Sequence, residues 1–415
     1  MQSILILGRQ PKLGLAELES LYGKEKLRPV GAHAVVVDID PCLLRFERLG
    51  GCIKFAKVLT EVKINSLKEI GKFLNNQGPE NIKRMPPGKM HLGISTYGYD
   101  VTAKQVQRLA IELKQSIRTT GRNVRVIPNN NPYLSSAQVI HGKLTSITGW
   151  ELLLIKSPDG CLIAQTIKAQ DIEAYTRRDR VRPNRDMRVG MLPPKLAQII
   201  INLAVGKLPD STNQSVCEIP EDQIIPKQHF KTLILDPFCG SGVILQEAAI
   251  MGYDILGSDM DQRMVESSLA NIKWLRNQPF FSINPEISIE VCQADATKFT
   301  WAKKPQIIAS ETYLGRNFTS QPSFEEIANQ QKQINQLLIN FLQNIAPKID
   351  RGTRFCLAVP AWKNQQGKIV HLPFIDSLEA FGYNRISFHH CANESLVYLR
   401  PSQVVARELL VIKKV

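Results

Sequence analysis

Short apolar runs alternate with stretches of helical spacing through the second half of the chain, a pattern that predicts an α/β fold built on a parallel sheet. TLILD, at 232–236, reads as a buried strand. The turn FCGSG follows, where Gly240 and Gly242 let the backbone reverse tightly, and VILQEAA at 243–249 resumes with helical periodicity. DILGSD (254–259), ISIEVCQADA (287–296) and PQIIASETYLG (305–315) read as three further strands. Between the first two of these runs a helix whose Val265, Leu269 and Ile272 share a face. Ser323 and Glu326 sit at capping-box spacing ahead of a covering helix with Ile327, Ile334, Leu338, Phe341 and Ile345 on one side. TRFCLAVPAW, RISFHHCA, ESLVYLR and ARELLVIKK are expected to complete the sheet, the last strands forming an antiparallel edge pair. Upstream, Pro193 and Pro194 start a helix in which Leu196, Ile199, Ile200 and Leu203 face the core. Gln198 and Asn202 interrupt its apolar run, which marks an amphipathic helix and not a membrane span.

The first half is patterned differently. KMHLGISTY, NVRVIP, ELLLIK and CLIAQTI read as strands around a long helix at 101–121 and a short one near SSAQVIHGKL, which suits a compact α+β module. In the long helix Val106, Leu109, Ala110 and Leu113 form the buried stripe and leave the charges outward.

The candidate chemistry lies at the strand ends. Asp236, Asp259 and Asp295 each close an apolar run or stand just past it, and the fourth segment carries Glu311. In an open parallel sheet ligands collect at the carboxyl ends of the strands, so acids pointing the same way there make one site. A carboxylate at position 236 would repel a pyrophosphate but suits a ligand carrying a sulfonium and an ammonium group, as S-adenosylmethionine does. Asp259 is placed to take ribose hydroxyls, and Asp295 lies where an adenine amino group would be. The candidate cofactor set is Asp236, Phe238, Cys239, Gly240, Gly242, Asp259, Met260, Asp295 and Ala296. Two rival folds are excluded: a dinucleotide fingerprint needs a small residue where Leu245 stands, and no Gly-Lys-Ser/Thr follows a glycine-rich turn.

Charge adds a partner. The net charge of +14 is concentrated: seven bases face one acid between Lys104 and Lys143, and seven face two between Thr176 and Lys195. This one-sign bias points to phosphate contact, with Lys104, Arg108, Arg118, Arg122, Arg177, Arg178, Arg182 and Lys195 as candidate RNA contacts. The eight cysteines contain no Cys-x-x-Cys pair, which suits thiols used as small hydrophobes in a reducing, cytoplasmic setting. His389, His390 and Cys391 are adjacent, but neighbours on a strand face opposite sides, and no metal site is expected.

DPFCGSG, GMLPPKLAQIIINLA and IKAQDIEAYTRRDRVRPNRD together resemble the THUMP-domain RNA methyltransferases that make N2-methylguanosine, especially the tRNA guanosine-10 branch. The resemblance runs over nearly the whole length. It implies an N-terminal ferredoxin-like domain at 1–57 and a THUMP RNA-binding domain at 58–170. A linker at 171–189 and a class I, Rossmann-like methyltransferase domain at 190–415 would follow, the latter with a seven-stranded, mostly parallel sheet. It also implies that Met191 to Lys195, Pro193 among them, line the methionine end of the cofactor pocket. The segment 209–228 reads as a surface loop within the catalytic domain.

The family's acid lies in an Asp-Pro/Leu-Pro-Tyr-Gly run, where this chain has Ser310-Glu311-Thr312-Tyr313-Leu314-Gly315-Arg316. Aligned on the following Gly-Arg, Glu311 takes the acid's place and Tyr313 the proline's; aligned on the aromatic, Ser310 does. The first register keeps a carboxylate, so Glu311 and Tyr313 are the candidate catalytic residues. The expected activity is methyl transfer to the exocyclic N2 of a guanosine in tRNA. A tRNA-binding protein or subunit without transfer activity, and an amino-methyltransferase of other base specificity, remain alternatives.

Overall fold

The computed structural model describes residues 2–415 apart from 84, 186–190, 209–228, 280, 282, 317, 319–321, 365 and 401–402. The expected loop at 209–228 therefore lies outside the described residues.

Eight strands of the first half form one mixed sheet: β1 (Ser3–Leu7), β2 (Leu27–Val30), β3 (Ala34–Val37), β4 (Cys52–Val62), β5 (Met90–Tyr97), β6 (Val124–Val126), β7 (Gly149–Ser157) and β8 (Gly160–Ala169). Their order is β2-β3-β1-β4-β8-β7-β5-β6, with only β5–β6 and β5–β7 parallel. β4 pairs with β1 on one side and β8 on the other, so it crosses residues 57 and 58 and makes the first 170 residues continuous through one sheet. Helices α1 (Pro11–Tyr22), α2 (Leu67–Ile82), α3 (Ala103–Arg118) and α4 (Ser136–His141) surround it. α3 begins with a capping box, Thr102 and Gln105, and buries the expected stripe against β5 and β7.

After α5 (Ile172–Thr176) and one wide turn at Arg177–Val181 comes α6 (Pro194–Val205), then a nine-stranded sheet. Its strands are β9 (Leu233–Asp236), β10 (Asp254–Asp259), β11 (Ile289–Gln293), β12 (Ile307–Glu311), β13 (Arg354–Lys363), β14 (Ile369–Val370), β15 (Tyr383–Arg385), β16 (Val397–Tyr398) and β17 (Val405–Lys414). The main path runs β11-β10-β9-β12-β13-β17-β15; the first five are parallel and β17 is antiparallel to both neighbours. Helices α7 (Val243–Ile250), α8 (Gln262–Arg276) and α9 (Phe324–Ile345) complete the domain. α6 and α7 cover one face, and α9 the other.

Two expectations about the closing strands are corrected. The last two strands, β16 and β17, do pair antiparallel, but β17 is an interior strand between β13 and β15, as its almost continuous run of buried residues requires. In RISFHHCA only the first residue, Arg385, is in a strand; beyond it the backbone N–H groups of His389 and His390 donate to the Glu19 carboxylate on α1, at 2.5 and 2.9 Å.

The two halves meet across α6, which is buried nearly all round. Asn202 donates to Glu17 (2.7 Å) and accepts from Arg48 (2.9 Å), while Tyr175 donates to Gln198 (2.5 Å). The two residues that made the helix look amphipathic are thus its bonds to the N-terminal half. Among the described residues Cys52, Cys161, Cys239, Cys292, Cys356 and Cys391 are free thiols, all of them buried except Cys292.

Candidate active site

Because β9, β10 and β12 run parallel, their carboxyl ends open onto one side of the sheet, where the chain must turn back into helices. A cavity of about 550 Å³ lies there. It is lined by Asp236, Phe238, Cys239 and Gly240 from the first turn, Asp259 and Met260 from the second, Asp295 and Ala296 from the third, and Glu311 and Tyr313 from the fourth. Gly242 does not line it but shapes the turn: its φ is +79°, and a Cβ there would lie 2.2 Å from the Ser268 hydroxyl. Gly240, also at positive φ, has no atom within 4 Å of where a Cβ would stand, so the backbone is open to a ligand. Pro193 is placed elsewhere: Met191 and Leu192 line this cavity, while Pro193 lines a neighbouring cleft.

Each carboxylate has a distinct environment. Asp259 accepts from the Gly240 N–H (2.9 Å) and the Asp261 N–H (2.9 Å), which ties the second strand to the glycine turn. Asp295 accepts from the backbone and hydroxyl of Thr297, which hold its carboxyl below the usual range. Asp236 is buried, accepting from the Ser310 hydroxyl (2.5 Å) and the Phe238 N–H (3.3 Å). Burial pushes it up to about 8, and the nearby Asp259 and Glu311 add to the shift. A buried carboxyl bonded to a neutral hydroxyl and amide, with no cation among those partners, favours a cationic ligand.

Glu311 closes β12, and its carboxylate is engaged by Arg407 of β17, a guanidinium 3% exposed. Burial raises the Glu311 carboxyl and Arg407 draws it back. Ser310 faces the other way, onto Asp236, so the acid that reaches the cavity is Glu311. Thr312 is fixed by its N–H to the Ala358 carbonyl (3.0 Å), and Tyr313 stands 47% exposed at the mouth. Ser310 and Arg407 carry roles that sequence reasoning did not assign. An arginine just ahead of the apolar run Leu409–Ile412, in a strand expected to lie in the sheet, was the available signal, since a buried charge needs a partner.

The arginine-rich segments divide. Lys104, Arg108 and Arg118 are exposed on α3, Arg108 beside Glu112 at 2.9 Å. Arg122 is half-buried and donates to the carbonyls of Ile82 and Met85. Arg177 is half-buried beside Glu173 at 3.5 Å, and Lys195 is half-buried with its ammonium on Gln170 and 5.0 Å from the Tyr175 ring. Arg178 and Arg182 are corrected from RNA contacts to interior residues. Arg178 donates to Glu247 at 2.6 Å and stacks 4.4 Å from the Tyr175 ring, and Arg182 is 2% exposed.

Residues 227–365 match the family described as UPF0020, RMKL-like methyltransferase domain. The chain is 27% identical over 180 residues to a tRNA (guanine(10)-N2)-dimethyltransferase of Methanothermobacter thermautotrophicus, covering 43% of this chain and 42% of that one. It is 30% identical over 111 residues to the enzyme so named in Methanocaldococcus jannaschii, covering 27% and 25%. The matched parts span less than half the length of these relatives. TrmN from Thermus thermophilus aligns over all of both chains at 15% identity with a TM-score of 0.48. Apart from Met191 and Leu192, every residue that lines the cavity at the carboxyl edge of β9, β10 and β12 falls within the segment that matches this methyltransferase family.

Proposed function

We propose that this protein transfers a methyl group from S-adenosylmethionine to the exocyclic N2 of a guanosine in tRNA, with residues 1–170 as a ferredoxin-like and THUMP RNA-binding part, acting in the cytoplasm. The observation that carries the reading is the meeting of Asp236, Asp259, Asp295, Glu311 and Tyr313 on one cavity. The bound donor would supply an electrophilic methyl on a sulfonium. Asp236 would face its cationic end, Asp259 its ribose, and the turn at 295–296 its adenine.

Guanine N2 is a weak nucleophile because its lone pair is delocalised into the ring. Glu311, held by Arg407, would accept a hydrogen bond from the amine and take up the proton that the amine loses on gaining the donor's methyl, directly or through water. Tyr313, half-exposed at the mouth, stacks on the base. A guanine paired in a stem must first be flipped out, which costs a few kcal/mol and calls for such aromatic support.

The test is incubation with labelled donor and total tRNA, followed by identification of the methylated nucleoside. Labelled N2-methylguanosine is expected, with Glu311→Gln losing transfer by at least about a hundredfold while donor binding persists. Transfer undiminished in that variant removes Glu311 from the chemistry, and another labelled nucleoside overturns the substrate assignment.

A further inference from the structure

We propose that the cleft beside the methyl-donor cavity binds a phosphodiester group of the RNA strand, an inference that rests on the RNA reading above. The cleft, about 320 Å³, lies on the seam between the two halves. Arg9 comes from the turn after β1, Lys195 from the first turn of α6, and Arg400 from the segment after β16. No carboxylate is among the described residues that line it.

The three cations are brought together by contacts that fix the seam. Gln10 donates to the Leu399 carbonyl at 3.2 Å, so the neighbours of that bond, Arg9 and Arg400, stand on opposite sides of one junction. Gly50 lies so close to α6 that a Cβ there would be 2.0 Å from the Lys195 carbonyl. Arg400 is oriented by its bond to the Tyr398 hydroxyl at 3.0 Å. The α6 N-terminus enters the cleft with no side-chain cap and no acid in its first turn, so its exposed dipole adds to the positive field. Burial lowers the Lys195 ammonium from its usual value, and Arg9 and Arg178 lower it further, as expected where like charges converge without an anion.

The position gives the cleft its use. Met191 and Leu192 line the donor cavity, and Pro193 and Lys195 line the cleft, so one short segment walls both. A strand phosphate held by Arg9, Lys195 and Arg400 would anchor the backbone next to a base turned into the cavity. Flipping a base needs its flanking backbone held, and this is a place to hold it.

Arg9 and Arg400 are exposed, so their replacement leaves the core intact. Binding of an unmodified tRNA transcript is measured by fluorescence anisotropy across a salt series, for the full chain and for Arg9→Ala/Arg400→Ala. The expected result is a log K against log salt plot less steep by about 1, the share of a single phosphate, and affinity lower by about tenfold at moderate salt. Donor binding by calorimetry is expected to be unchanged. An unaltered slope and affinity in the double variant overturns the cleft while leaving the RNA reading in place. Failure of the unaltered protein to bind tRNA at all overturns both.

Discussion

Asp236→Asn is the most informative single change at the proposed donor site. The carboxyl is buried beside a hydroxyl and an amide and is pushed up to about 8, so in the free protein it is ionised only above that pH. A cationic donor favours the ionised form, and binding must therefore expel the proton. With a free value of about 8, about 0.9 proton is released per donor bound near pH 7, and affinity falls by about tenfold for each pH unit below 8. The donor's own α-amino group, at roughly 7.7–8.0, works in the opposite sense above that range. Affinity should thus peak near pH 8, with the acid limb belonging to the protein and the alkaline limb to the ligand. Calorimetry in buffers of differing ionisation enthalpy, from about pH 6 to about pH 9, counts the protons directly. In Asp236→Asn the acid limb disappears and affinity at the optimum falls by at least about tenfold, one pKa unit being worth about 1.36 kcal/mol. Persistence of the acid limb in that variant refutes the assignment. The same shift has a stability consequence of defined sign: the contribution is fully present below the unfolded value of 3.8, falls progressively above it, and is gone once pH has risen through about 8.

Gly242→Ala should be costly without touching a ligand, because it meets both a left-handed backbone and the Ser268 hydroxyl at 2.2 Å. Strain and overpacking together give about 2–4 kcal/mol, read as a lower denaturant midpoint, and an unchanged midpoint contradicts the turn geometry. In the N-terminal sheet Lys54 and Glu151 form an ion pair with neither side chain exposed, and Ser95 (2.6 Å) and Thr166 (2.5 Å) also donate to the glutamate. Lys54→Met alone should destabilise by about 3–5 kcal/mol by stranding a buried carboxylate, while adding Glu151→Leu should recover much of that loss in the same denaturation assay. A double variant no better than the single one would contradict stranded charge as the cause.

The strand-end acids were legible because each is local: an apolar run stops, a carboxylate follows, and parallel pairing sends all such ends the same way. What the sequence could not show is pairing at a distance. Arg178 and Arg182 looked like part of a solvated basic stretch, yet the partner of Arg178 is Glu247, and both arginines lie inside. Gln198 and Asn202 looked like the wet face of α6, yet they bond to the N-terminal half, Gln198 to the Glu47 carbonyl and Asn202 to Glu17 and the Arg48 carbonyl. Pro193 stands one residue from the donor cavity's wall but faces the other way. β17 follows β16 closely and reads as an edge, but its unbroken apolar run Leu409–Ile412, which does not alternate with polar residues, was the better guide to its place inside the sheet.

That polar seam also decides how the two halves can cooperate. Glu17 is fully buried and accepts from the N–H groups of Gly50 (2.9 Å) and Gly51 (2.8 Å) as well as from Asn202. Arg48 reaches Asn202 and the Tyr253 hydroxyl, and Arg354 reaches Ser20 and the Leu203 carbonyl. Opening such a junction would strand several buried donors and acceptors at about 1–3 kcal/mol each, a far larger cost than that of a wet interface. The N-terminal half is therefore held to α6 by packing, and the residues joining β8 to α6 need not set its direction. Since the start of α6 walls both the proposed donor cavity and the basic cleft, the spacing between those two sites is set by this seam.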